Sequence, residues 1–135
     1  MYNNKNNNRM PLPIIYNIAS KTAFAQLLQN NPGVVIIKFG AEWCAPCKRI
    51  ETQVQTYMNE MPNYMQCVIV DIDESIEIYG FLKTKKMLNG IPAILAYYAG
   101  NVNYIPDDAV IGADPMQITL FFKRCLEQGQ RQEEG

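Results

Sequence analysis

Apolar residues along the chain change period several times, and each change marks an element. Val34-Val35-Ile36-Ile37 is the densest β-branched run, long enough for a strand and too short for a membrane span. Beyond it, Cys47, Ile50, Val54, Tyr57, Met58 and Met61 recur at helical spacing, which predicts an amphipathic helix with Cys47 on its buried face. Upstream, Pro11 and Pro13 bracket the start of a short run, Ile14 to Ile18, that reads as an edge strand. Ser20 then caps a helix whose Phe24, Leu27 and Leu28 share one face, and Asn30-Asn31-Pro32-Gly33 stops it. Downstream, Met61-Pro62-Asn63 breaks the pattern, and Cys67 to Ile72 is apolar enough for a strand with a parallel neighbour. A short helix over Ile76 to Leu82 follows. Ile91 to Tyr98, a turn at Ala99-Gly100-Asn101 and a second run from Val102 to Ile105 predict a hairpin. The last helix opens with Asp114 as N-cap, Pro115 in the first turn and Gln117 completing a capping box. Ile118, Phe121, Phe122 and Cys125 form its buried face, and fraying is expected from Glu127 onward.

The predicted order is β-α-β-α-β-α-β-β-α, an α/β fold with a central mixed sheet flanked by helices. Residues 1–12, rich in asparagine, are expected to be a disordered tail, 13–127 one domain, and 128–135 a flexible C-terminal tail. With 135 residues, 48% of them hydrophobic and 19% charged, one domain can bury a core. A formal net charge of −1 and the lack of a long basic run argue against nucleic acid as a partner. No segment has the length or flanks of a signal peptide or membrane helix, and four cysteines are too few for a disulfide scaffold, so a soluble, cytoplasmic monomer is expected. The absence of histidine excludes Cys-His nucleophilic catalysis and imidazole-ligated zinc.

The chemistry is expected where strand meets helix, at Ala41-Glu42-Trp43-Cys44-Ala45-Pro46-Cys47-Lys48. A cysteine in the first turn of a helix faces unpaired N–H groups and the positive end of the macrodipole, which favour its thiolate. Cys44 is therefore read as the nucleophile. Two intervening residues on a helical turn bring Cys47 close enough to close a small disulfide ring, with Pro46 supplying a suitable φ, so Cys47 is read as the resolving thiol. C-x-x-C alone is shared with zinc knuckles. The full run Trp-Cys-x-Pro-Cys-Lys after a buried strand is specific, and it resembles the active site of the thioredoxin family.

That resemblance covers about residues 14 to 126 and implies a thiol–disulfide oxidoreductase that reduces protein disulfides, with no cofactor beyond the redox-active cysteines and no metal. It implies a thioredoxin-reductase-like or other dithiol electron donor. By resemblance, Ile91-Pro92 looks like the cis-proline pair facing the cysteines, Gly112 like a glycine bordering the substrate groove, and Trp43 like a wall of the binding site, with Ala45 and Pro46 lining it. The alternatives are a trans proline at a strand start and a core tryptophan. Asp71-Ile72-Asp73-Glu74 resembles the family's acidic strand end, and solvated charges outweigh a metal site there. Cys67 and Cys125 read as core residues, against a regulatory disulfide or a four-cysteine zinc site.

Three departures stand out. Ala93 replaces the usual threonine after the proline. Two connections, Gly80 to Gly90 and Tyr104 to Ile111, are longer than the family shows, either as surface insertions or as flanks of the groove that alter partner choice. Lys38 stands where thioredoxins usually bury an aspartate beneath the resolving cysteine, able to accept and return its proton, and Ile69 replaces that aspartate's lysine neighbour. Lys38 either points inward and tunes the couple towards a more oxidising potential, or lays its stem on apolar surface with the amine in water. Two further readings stay open: an interaction subunit whose cysteines are dispensable, and a disulfide oxidase or isomerase.

Overall fold

The computed structural model describes residues 10–134. The expected tail over residues 1–12 lies outside them as far as residue 9. The described residues form β1 (Ile15–Tyr16), α1 (Lys21–Gln29), β2 (Val34–Gly40), α2 (Ala45–Arg49), α3 (Glu51–Glu60), β3 (Met65–Asp71), α4 (Ile76–Thr84), β4 (Ala93–Tyr98), β5 (Asp108–Ile111) and α5 (Pro115–Glu134). The sheet order is β1-β3-β2-β4-β5, with β2 parallel to β3 and antiparallel to β4. β2 is central because all seven of its residues are apolar, glycine or long-stemmed, and all are buried.

Alternation along β2 divides the core. Val35, Ile37 and Phe39 face α1 and α4, where they meet Phe24, Leu28, Ile78 and Leu82. Val34 and Ile36 face the other layer, with Val54 and Met58 of α3 and Ile118, Phe121 and Phe122 of α5. Each such side chain, fully buried, contributes about 1.5–3 kcal/mol of transfer free energy, so the sheet is fixed between two helical layers. Ser20 caps α1 by accepting from the Ala23 N–H at 3.0 Å, and Asp114 accepts from the Met116 N–H at the start of α5.

The structure corrects four expectations. First, β1 is two residues long, because Asn17 turns into the left-handed region (φ 70°) and its Oδ1 accepts from the Asp71 N–H at 2.8 Å. Second, the helix after the cysteines is interrupted at Ile50 (φ −101°, ψ 2°), giving α2 and α3. Third, the outer hairpin strand is Asp108–Ile111 rather than Val102–Ile105. Asn101 and Asn103 turn that apolar stretch into a loop, their side chains accepting from the Asn103 and Ile105 N–H groups. Fourth, residues 128–134 are helix, not a flexible tail. Gly129 explains the continuation. A Cβ there would come within 2.7 Å of Met65 Sδ and 2.8 Å of the Tyr64 ring, so the bare backbone lets α5 run on against β3.

The two long connections pack on each other. Phe81 meets Tyr104 edge to face at 5.6 Å, Lys85 lies over both rings, and the Tyr97 hydroxyl donates to the Tyr104 carbonyl at 2.8 Å. Tyr97 pairs with Val35 near the start of β2, so this aromatic contact sits at the end of the sheet remote from Gly40.

Candidate active site

β2 ends at Gly40 and the chain turns over Ala41 to Trp43 into α2, whose N-cap is Cys44. The sequence builds this turn simply: Pro46 needs no N–H partner inside the first turn, and the Cys44 carbonyl accepts from the Lys48 N–H at 3.1 Å. Cys44 and Cys47 are joined as a disulfide, with Cα atoms 5.3 Å apart. The Cys47 N–H points at Cys44 Sγ from 3.2 Å. With the ring opened by reduction, that donor faces whatever charge Cys44 carries, and a hydrogen bond to the ionised form favours it. Because the helix breaks at Ile50, the dipole acting on Cys44 is that of a five-residue segment, and the local N–H donor matters more.

The Ile91-Pro92 bond is cis, and the Ile91 carbonyl oxygen lies 3.9 Å from Cys44 Sγ. A disulfide sulfur has no hydrogen to donate, so in this oxidised form the approach is a contact. In the thiol form it becomes an acceptor for Cys44. Pro92 is buried and Ile91 half-buried. Gly112 follows β5 with φ 96°, a conformation that favours glycine, and its N–H donates to the Pro92 carbonyl at 2.9 Å. Ile91, Pro92 and Gly112 therefore meet beside the disulfide, while Ala45 and half-buried Pro46 reach solvent on its other side.

Trp43 is 68% exposed, with its indole N–H donating to Asp73 Oδ2 at 2.8 Å. It is a surface tryptophan held in place by the acidic strand end. The same acidic segment closes on itself, Asp71 Oδ1 accepting from the Asp73 N–H. Among the described residues no three Cys, Asp or Glu side chains converge as a metal site would need.

Lys38 points inward. It is 6% exposed, pairs with Ile69 in the sheet, and lines a cavity of about 70 Å³ with Gly40, Cys47 and Glu51. Burial lowers its pKa, the Glu51 carboxylate opposes that, and Lys48 adds a smaller lowering. At the surface above, Lys48 bonds Glu42 at 2.8 Å, which raises the lysine's pKa and lowers the glutamate's. Glu51 was not singled out in the sequence; it opens α3 just past the break at Ile50, and that break is not legible in the helical spacing.

The thioredoxin family profile matches residues 16–122. The chain belongs to the thioredoxin family. It is 32% identical over 95 residues to Thioredoxin 3 of Plasmodium falciparum, which takes in 70% of this chain and 49% of that protein. With thioredoxin of Bacillus subtilis the identity is 34% over 74 residues, 55% of this chain and 67% of that one. The chain thus spans about half to two thirds of these relatives. Among solved structures, Malassezia sympodialis thioredoxin superposes with a TM-score of 0.66 at 25% identity, over 85% of this chain and 95% of that one. Plasmodium falciparum thioredoxin gives 0.59 at 26%, over 82% and 98%. The mixed sheet flanked by helices is the thioredoxin fold.

Proposed function

We propose that this thioredoxin-family chain is a thiol–disulfide oxidoreductase that reduces disulfides of protein substrates. The observation that supports it best is the Cys44 sulfur at a helix start, facing the Cys47 N–H at 3.2 Å and the Ile91 carbonyl at 3.9 Å. In the reduced protein the Cys44 thiolate attacks a substrate disulfide, forming a mixed disulfide and releasing one substrate thiol. Cys47 then attacks Cys44 Sγ, closes the ring and releases the second thiol, so two thiols of this chain are oxidised as one substrate disulfide is reduced. Substrate backbone lies along Ile91 and Pro92 as an added strand segment, between Trp43 and Gly112.

A dithiol donor of thioredoxin-reductase type returns the pair to the reduced state. The protein works as a cytoplasmic monomer in electron transfer to such substrates. No helix of the described residues is long and apolar enough to cross a membrane. The assay is reduction of insulin disulfides by the full chain with dithiothreitol as donor. Acceleration by the wild-type chain and none by Cys44→Ser is the expected result. Equal rates for the two, with partner assembly retained in the double Cys44→Ser, Cys47→Ser variant, would favour an interaction subunit instead.

A further inference from the structure

The two long connections meet in a face that carries charge as well as rings. Lys21 and Lys85 both stand over Phe81, with Nζ 5.3 and 5.9 Å from its centroid. Lys85 also lies 5.5 Å from the Tyr104 centroid, and Lys83 covers Tyr79 at 5.7 Å. Lys86 follows directly. All four lysines are exposed and the three rings are half-buried, so each stem lies on aromatic surface while its ammonium stays in water. Among the described residues none of these ammonium groups has a carboxylate partner. The acids at the border are engaged elsewhere: Glu77 Oε2 accepts from the Lys21 backbone N–H at 2.8 Å, and Asp107 Oδ2 from the Tyr98 N–H at 2.7 Å and the Asn101 amide at 2.9 Å.

The helices account for only half of this charge. Lys83 and Lys85 suit the negative end of the α4 dipole. Lys21, by contrast, is the first residue of α1, at the positive end of its dipole, where a cation is unfavourable. Lys86 lies just past α4 with φ 64°; its N–H donates to the Lys83 carbonyl at 2.9 Å and the Met87 N–H to the Leu82 carbonyl at 2.8 Å. That pair of bonds closes a helix through a left-handed residue, a position that glycine fills without strain and a side chain does not. The turn gains nothing from a lysine there.

We propose that Lys21 and the lysines at the end of α4, beside Tyr104, form a docking surface for an acidic segment of a partner protein. Charge complementarity names the occupant: a chain of net charge −1 gathers four unpaired cations on one face, and a partner carboxylate meets them without displacing an ion pair. Val102 and Ile105, exposed on either side of Tyr104 in its loop, offer apolar contact to the same segment. A lipid surface fits less well, since it calls for an apolar helix face beside the lysines, and Ile78 and Leu82 of α4 are fully buried in the core. The Tyr104 side of the face lies at the end of the sheet away from Gly40, so a docked partner leaves Cys44 and Cys47 open. The docking stands apart from the redox reading.

The test follows the anisotropy of a fluorescein-labelled peptide of alternating Glu and Ala as the full chain is added at low salt, with Gln-Ala and Lys-Ala peptides as controls. The Glu peptide should bind and the controls should not, and salt at about 1 M should abolish binding. Each exposed ion pair is worth about two- to fivefold. Lys21→Gln, Lys83→Gln, Lys85→Gln and Lys86→Gln combined should therefore weaken binding by at least about tenfold, whereas Lys123→Gln on α5 should leave it within about twofold. Lys86→Gly separates docking from folding: it should weaken binding by about two- to fivefold yet raise the melting temperature, because glycine relieves the left-handed position. A Glu peptide that does not bind, a Gln peptide that binds as well, or a quadruple variant that binds like wild type would overturn the docking surface. Lysine-dependent cosedimentation with phosphatidylserine vesicles that the Glu peptide fails to displace would assign the face to a membrane and overturn the protein partner.

Discussion

Cys44 and Cys125 are both buried, yet their surroundings assign them opposite chemistry. Cys44 begins a helix, with a backbone N–H aimed at its sulfur and the chain's edge of solvent beside it. Cys125 lies mid-helix in α5, enclosed with Phe121, Phe122 and Cys67 in the layer between α5 and the sheet. There burial pushes the Cys125 thiol far up and the Cys67 thiol up to about 12; Arg124 only partly offsets this at Cys125, and among the described residues no hydrogen bond reaches either sulfur. Burial alone therefore does not make a cysteine inert; the absence of a donor does. The same difference separates the two ends of β2, one leading into backbone donors and the other into apolar and aromatic packing.

The comparison breaks most readily at the reactive end. Cys44→Ser should abolish turnover, whereas Cys47→Ser should accumulate mixed disulfides with substrate proteins, seen on non-reducing gels. Trapping by Cys44→Ser and none by Cys47→Ser would reverse the two roles. Next in size is the contrast in alkylation of the reduced native protein. At pH 7 a thiol with a pKa near 12 is thiolate to about one part in 10⁵, so brief iodoacetamide treatment should label Cys44 and leave Cys67 and Cys125 unlabelled until the chain is unfolded. Mass spectrometry of the labelled peptides reads this directly; equal labelling of Cys67 would mean that its core opens readily.

A smaller effect tests whether the inert pair is packing alone. Cys125→Ser places a hydroxyl in an apolar site and should cost about 1–3 kcal/mol by denaturant titration, with insulin reduction unchanged. Cys125→Ala should cost less, since it leaves a small cavity but no unpaired polar group. A loss of activity in either, at temperatures where the protein stays folded, would mean that the second pair communicates with the first.

Much of this contrast is legible in the sequence. The β-branched run of β2, the spacing from Cys47 to Met61 and the capping residues Ser20 and Asp114 each act through neighbours within a turn or two, so local pattern finds them. Cys67 and Cys125 are likewise placed by their apolar company. The residues that sequence reading misplaces depend on side-chain turns or on distant partners. Val102 to Ile105 has the alternation of a strand, but Asn101 and Asn103 claim its N–H groups, and pairing with β4 falls to Asp108–Ile111. Residues 128–134 carry tail-like composition, yet α5 continues because Gly129 fits against Tyr64 and Met65, some sixty residues earlier. The inward turn of Lys38 and the nearness of Glu51 are set by the packing of α3 on the sheet, and the Phe81–Tyr104 contact joins two loops that the sequence shows only as long.

The smallest effect is in the pH dependence of stability, and it isolates the inert pair. A thiol whose pKa is raised on folding holds its proton in the native state while the unfolded chain has lost it. Folding stability from such a group is complete below the unfolded value, near 9, and is lost as pH rises towards about 12 for Cys67. At pH 10, one unit into that window, one thiol accounts for about 1.4 kcal/mol. Tyr97, also raised by burial, titrates in the same direction at higher pH, so the wild-type curve alone does not separate them. The difference between wild type and Cys67→Ala does: the alanine variant starts lower at pH 7 through its cavity, but its stability should fall less steeply between pH 9 and 11, and the two curves should converge. Parallel curves would mean that Cys67 titrates normally in the folded protein, and the contrast between a donor-facing and a core-enclosed sulfur would lose its electrostatic basis.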